Sequence, residues 1–156
     1  MRRNDREITD SREIERFLFE QQIIRVGFYD DGEVYIVPVN YGFKTENGEY
    51  TFYFHGANAG RKYVLALSNP DVGFEIDGEY RLLPAEKACS YSACYQSVIG
   101  NGVLSLVNDT EEKTEALELI MKQATGNVGF SYDESALKKT AVFKLKVNKL
   151  SCKAKH

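Results

Sequence analysis

The stretch FHGANAGRKYVLALSNP, Phe54 to Pro70, carries a change of backbone period. A strand-like run ends at His55. A loop of small residues containing Gly56 and Gly60 follows, then Arg61 and Lys62, then an apolar segment closed by Asn69-Pro70. The spacing predicts a short helix over residues 60–68, because a proline disfavours helical geometry at the residue before it. Two adjacent cations at a helix start oppose the positive end of its dipole and its unpaired N–H groups. A bound anion would reverse that cost, and a guanidinium fork beside an ammonium suits phosphate oxygens. A solvated charged pair on the first turn is the plainer alternative. The loop is neither a Walker A sequence nor a GxGxxG turn.

Upstream of this stretch the chain reads as a helix and a meander. Asp10 can cap a helix with Glu13 at the capping-box position, and Ile14, Phe17 and Leu18 share one face, which predicts a helix over residues 11–22. Asp31-Gly32 and Asn47-Gly48 each separate two β-rich runs, which is a hairpin signal. Downstream, VGFEIDGEYRLL reads as a third hairpin about Asp77-Gly78, and EKACSYSAC as a loop without period. YQSVIGNGVLSLV reads as a long strand where Gly100 and Gly102 mark a bend or a close backbone approach. Asp109 can cap a helix with Leu117, Ile120, Met121 and Ala124 as its buried stripe and Gly126 at its end. TAVFKLKVNKL alternates as a half-exposed closing strand over about residues 140–150, with Ala141, Phe143, Leu145 and Val147 inward. Six or seven antiparallel strands with three helices predict a small barrel in one domain spanning residues 1–156.

Composition narrows the functional classes. The 156 residues are 43% hydrophobic and 28% charged, as in an ordinary soluble domain with a real core. No apolar run approaches the length of a membrane helix. The N-terminus MRRNDREITD has no apolar signal core, so a cytoplasmic location is expected. A net charge of −3 and a pI near 5.5 argue against a nucleic-acid partner. Cys89, Cys94 and Cys152 are an odd number, expected as reduced thiols, and with two histidines they make a poor zinc set, so no metal is expected.

Two further positions invite a choice of readings. His55 closes its strand beside the small residues of this loop, where it is a structural residue or a hydrogen-bond donor with a nearly neutral imidazole. Pro38 in VYIVPVNYGF cannot donate a ladder hydrogen bond, so its strand lies at an edge or bulge. The free backbone atoms beside it serve either a protected edge or in-plane hydrogen bonds to a flat heteroaromatic ligand.

Taken together, RVGFYDDGEVYIVPVNYGF, YFHGANAGRK with its following NP, VGFEIDG and YQSVIGNG resemble, in this order, the flavin-binding split barrels of the pyridoxamine 5′-phosphate oxidase-like superfamily. The nitroimidazole-resistance branch is the most similar. The resemblance implies a six-stranded antiparallel split β-barrel and a homodimer with flavin between the subunits. It implies FMN, with FAD as the alternative, and places Arg61 and Lys62 on its phosphate. His55 and Gly56 match the strand end beside the flavin. Val37, Pro38, Val39 and Asn40 match the strand whose backbone reaches the ring system, and Ser97 lies in a strand that also lines the cofactor. Gln96 stands where that strand often carries arginine. The chain lacks tryptophan and the C-terminal motif of the vitamin B6 oxidase itself, so pyridoxamine phosphate is not implied as substrate.

The activity that follows from the resemblance is flavin-dependent reduction of a small acceptor such as a nitroaromatic, with NAD(P)H as donor and His55 positioning the acceptor or giving a proton. The alternative is a barrel that holds flavin or haem for storage or sensing, without turnover. A nucleic-acid-binding barrel fits least, because the aromatic residues fall at strand positions expected in the core.

Overall fold

Two Asx-Gly pairs turn the chain in the computed structural model, which describes residues 4–156: Asp31 (φ 46°) with Gly32 (φ 91°), and Asn47 (φ 53°) with Gly48 (φ 80°). Both residues of each pair are left-handed, the geometry that matches strand twist in a two-residue hairpin. After a short β1 (Glu7–Ile8) and helix α1 (Ser11–Glu20), these turns join β2 (Ile23–Asp30) to β3 (Glu33–Asn40) and β4 (Gly42–Glu46) to β5 (Glu49–Ala57). Helix α2 (Arg61–Ser68), β6 (Asp71–Leu83), β7 (Ser92–Leu106), α3 (Thr110–Thr125), α4 (Glu134–Lys139) and β8 (Thr140–Lys155) follow.

Asp77-Gly78 is not a hairpin. Gly78 has no positive φ, and β6 runs through it with a register shift between Gly78 and Arg81. The glycine serves close packing instead: a Cβ there would lie 2.5 Å from the Gln21 side chain. The reversal falls later, at a 3-10 turn over Ala88–Ser90 within the segment read as a loop. Gly100 and Gly102 do mark a close backbone approach. A Cβ at Gly100 would stand 2.3 Å from the Lys149 carbonyl oxygen, and one at Gly102 2.2 Å from that of Lys146.

The sheet order is β3-β2-β6-β7-β8-β5-β4, with β1 on β8 and every pair antiparallel. The strands number eight, rather than six or seven, among the described residues. The sheet curls so that β3 returns against β5 without pairing to it, which leaves the barrel split. Inward side chains fill it: Phe28, Phe52, Phe54, Phe74, Ile76, Val98, Phe143 and Leu145 are buried, and α1 adds Phe17 and Leu18. Each such side chain contributes about 1.5–3 kcal/mol of burial.

A second cluster lies on the outer side of β5 and β8, where Tyr53 and Val142 pack under Ala116 and Ile120 of α3. The closing strand alternates as expected, with Ala141, Phe143 and Leu145 buried and Lys146 and Asn148 exposed, except that Val142 is also buried on the outer face beneath α3; the strand extends to Lys155. The buried positions of α3 are Ala116, Ile120 and Gln123, a stripe rotated from the expected one. Gln123 explains the rotation. Its side-chain amide donates to the carbonyls of Leu18 (2.7 Å), Phe19 (3.0 Å) and Gln21 (2.6 Å) at the end of α1, the first of which also accepts from the Tyr41 hydroxyl. Helix α1 stops at Glu20, two residues early, because Gln21 is already extended. The caps at Asp10, Asp109 and Gly126 form as expected. Among the described residues, no helix is long and apolar enough to cross a membrane.

Candidate functional site

Helix α2 covers one end of the barrel, and its first turn differs from those of α1 and α3. Asp10 and Asp109 cap those two helices with side-chain carboxylates. Helix α2 starts at Gly60 (φ 93°), with no side-chain cap and no acidic residue in its first turn. Its leading N–H groups therefore face outward without a side-chain partner, beside two cations.

Lys62 is the inner cation. It is half-buried and lies 5.0 Å from the ring centre of Phe143 and 5.5 Å from that of Phe54, two rings that stack on each other. Its Nζ donates to the carbonyl of His55 at 3.3 Å, and burial lowers its pKa. Gly56 sits directly beneath: a Cβ there would come within 2.8 Å of Lys62 Nζ.

Arg61 is the outer cation, and its partners are on the β2–β3 hairpin. Nε donates to Asp30 at 2.5 Å and Nη2 to Glu33 at 3.2 Å, while the guanidinium lies 4.6 Å from the Tyr35 ring centre. The far end of α2 is tied to the same hairpin, through Asn69 Nδ2 to the Tyr29 carbonyl at 3.1 Å.

His55 faces the other way. Along β5 the inward residues are Phe52, Phe54 and Gly56, so His55 shares the outer side with Tyr53. There it lines a recess of about 330 Å³ with Leu117, Met121, Tyr132 and Leu137, between α3 and α4. The imidazole pKa is lowered, first by the surrounding protein and then by the charge on Lys62. Tyr132 is pushed up to about 12 by burial and by Glu118. At neutral pH the recess thus holds an uncharged imidazole and a protonated phenol.

The other expected positions lie on the barrel wall. β3 is an edge strand paired, among the described residues, only with β2, and Pro38 stands opposite Arg25. Val37 and Val39 pack against the core, while Pro38 and Asn40 face outward, Asn40 donating to the Gln22 carbonyl. Ser97 is on β7, opposite Asp77 and Lys153, with β6 and β2 between it and β3. Three strand spacings separate them by about 14 Å. One chain thus brings Gly56, Arg61 and Lys62 together at the barrel end, sets His55 on the outer wall beside them, and leaves Val37 to Asn40 and Ser97 elsewhere on the wall. Gln96 points inward, with its amide 3.8 Å from Cys152 Sγ.

Sequence reading missed Asp30, Glu33 and Tyr35. The signal was present. A two-residue turn at Asp31-Gly32 makes Asp30 and Glu33 direct cross-strand partners, and like charges so placed call for a nearby cation.

A sequence model of the family described as pyridoxamine 5′-phosphate oxidase matches residues 10–154. The chain belongs to this family. Among solved structures it is similar to a candidate 5-nitroimidazole antibiotic resistance protein from Bacteroides thetaiotaomicron, at 30% identity and a TM-score of 0.82, covering 95% of this chain and 86% of that one. It is also similar to the flavocytochrome Anf3 of Azotobacter vinelandii, at 21% identity and a TM-score of 0.81 over 100% and 72% of the two chains. A FAD and haem binding protein from Mycobacterium smegmatis aligns at 15% identity and a TM-score of 0.79 over 97% and 74%. The last two establish the family's fold alone. No curated protein sequence matches the chain significantly.

The phosphate that the family resemblance implies can be tested against the residues present. Two features fit it: the uncapped start of α2, and the glycine that keeps the space over Lys62 open. Among the described residues Lys62 donates to the His55 carbonyl, and an ammonium with three donors retains others for an oxyanion. Arg61 has spent two N–H groups on carboxylates and keeps Nη1 free of them.

Proposed function

We propose that this family member binds FMN, with FAD as the other candidate, and uses it to reduce a small acceptor such as a nitroaromatic, with NAD(P)H as electron donor. The observation that carries the reading is the first turn of α2: the uncapped N–H groups, with Lys62 fixed over Gly56, form a seat for a phosphate. The resistance protein from Bacteroides, 30% identical, supports the choice of acceptor class.

When bound, the flavin would supply the two-electron chemistry. This chain's residues would bind and orient. Arg61, Lys62 and the α2 N–H groups would take the phosphate. The backbone of Val37, Pro38, Val39 and Asn40, on an edge strand, would offer carbonyl and amide groups to the ring system, and Ser97 a hydroxyl. The family resemblance implies a homodimer with the flavin between subunits, so that residues of both chains would line each site. The recess beside His55 would take the acceptor. Its neutral imidazole would give it a hydrogen bond without placing a charge against it.

A second reading, a barrel that holds flavin or haem without turnover, draws on the same neutral imidazole at the recess. The experiment that separates the two starts with the visible spectrum of the purified protein and the mass of any released chromophore. Steady-state oxidation of NADPH with a nitroaromatic then follows. Bound flavin with turnover supports the oxidoreductase. Bound chromophore without turnover supports the second reading, and failure to bind either FMN or FAD at micromolar concentration overturns both flavin readings.

A further inference from the structure

The proposed phosphate seat has carboxylates in attendance. Asp31-Gly32 closes β2 and β3 so that Asp30 and Glu33 are the last paired residues of the hairpin, directly opposite each other. Arg61 relieves their repulsion by reaching both, Nε to Asp30 and Nη2 to Glu33. A guanidinium presents five N–H groups in one plane, and the edge formed by Nε and Nη2 is one that grips an oxyanion with two parallel bonds. Both positions on that edge are taken by the protein itself.

We propose that Asp30 and Glu33 compete internally with the cofactor phosphate for Arg61. They hold the guanidinium in the ligand-free chain and yield it when a phosphate settles on α2. They thereby set how strongly this chain prefers a phosphorylated flavin to riboflavin. The inference rests on the flavin reading above.

The two cations differ in a way that suits such a division. The side chains of Arg61, Asp30 and Glu33 are 44%, 31% and 76% exposed, and exposed ion pairs are weak and easily exchanged. Lys62 is half-buried against two rings and bonded to a main-chain carbonyl, so no carboxylate need release it. Tyr35 lies under Arg61 and can support the guanidinium with either anion. Lys62 is thus the standing contact and Arg61 the contested one.

The test compares FMN and riboflavin affinities, read by quenching of flavin fluorescence, in the wild type and in Asp30→Asn/Glu33→Gln. The double variant keeps the shape of both side chains and removes both charges. Loss of two exposed competitors should tighten FMN binding roughly two- to thirtyfold. Riboflavin binding should not move. An FMN affinity that is unchanged or weaker in the double variant overturns the inference. Arg61→Ala measured alongside separates that failure from a deeper one. If Arg61→Ala weakens FMN but the carboxylate variant changes nothing, only the competition is wrong. If the wild type binds FMN and riboflavin equally, the phosphate does not meet α2, and both fall. Glu33→Gln alone carries the same expectation with a smaller effect, should the double variant fold poorly.

Discussion

Gly56 on β5 and Lys62 on α2 are fitted to each other: a Cβ on the glycine would stand 2.8 Å from the lysine Nζ. The obstructing atom is the end of a flexible side chain, so Gly56→Ala should displace Lys62 at small cost to the fold. A change of about 1 kcal/mol would lower Tm by about 2–4 °C in a domain of this size. Gly100→Ala makes the contrast, because a Cβ there meets the Lys149 carbonyl in the backbone at 2.3 Å. Its Tm should fall well below that of Gly56→Ala. Equal losses in the two variants would mean that Lys62 is as rigid as the sheet.

Replacing Arg61 and Lys62 together with alanine should weaken FMN binding by at least about a hundredfold, since each charge-assisted phosphate contact contributes a factor of roughly ten or more. Riboflavin should lose far less. Equilibrium dialysis with both ligands makes the comparison, and an equal loss would remove the cations from the phosphate.

His55 gives the protein a pH dependence of known sign. Its pKa in the fold is lowered from 6.5, by the surrounding protein first and by Lys62 second. The unfolded chain therefore binds the proton more readily. The stability that goes with the neutral imidazole is present above about pH 6.5 and is lost as pH falls through the folded value. Thermal melts from pH 7.5 down to 5 should show a smaller drop in His55→Gln than in the wild type. Parallel curves would count against a neutral imidazole. The same variant should retain flavin but change the rate of nitro reduction if His55 positions the acceptor, and an unchanged rate would remove it from that role.

Gln123→Leu should be costly although Gln123 lies far from the barrel end. It removes the donor shared by the carbonyls of Leu18, Phe19 and Gln21; Leu18 keeps the Tyr41 hydroxyl, while Phe19 and Gln21 lose their side-chain partner. Unsatisfied buried acceptors cost about 1–3 kcal/mol, or roughly 2–12 °C in Tm. A melt indistinguishable from the wild type would mean that water takes over the Phe19 and Gln21 carbonyls.

Gln123 also marks what sequence reading could and could not reach. Local chemistry was legible. Asp10 and Asp109 cap their helices, and Asp31-Gly32 and Asn47-Gly48 turn, because each outcome depends on a few neighbouring residues. Asp77-Gly78 looks the same in sequence but does not turn, because Gln21, distant in the chain, packs against its glycine. The buried stripe of α3 was misplaced for the same reason: a polar glutamine is buried by carbonyls that belong to another helix. At the site, the two cations were conspicuous, but their carboxylate partners lie 28 and 31 residues away and meet Arg61 only through the fold.

Val34, Ile36 and Ile99 are 72%, 60% and 51% exposed on the outer wall of β3, β2, β6 and β7. Gly27 and Gly73 are paired between them, so the wall dips into an apolar trough beside Val34 and Ile36. Large exposed apolar patches of this kind favour association, and a twofold mate would cover the trough with the same residues from the other chain. Arg25, bridged to Glu75 and Asp77 at the rim, would keep that wall in register. The chain is therefore expected to be a dimer, and Ile36→Lys should dissociate it by placing a charge in the contact. If each flavin touches both subunits, FMN should raise both the dimer fraction and Tm by mass action, and Ile36→Lys should lose flavin along with its partner. Analytical ultracentrifugation at low micromolar concentration, with absorbance read at protein and flavin wavelengths, decides the matter. A monomer that keeps full flavin occupancy would refute a shared site, whereas an apo dimer that Ile36→Lys leaves intact would place the interface on another face.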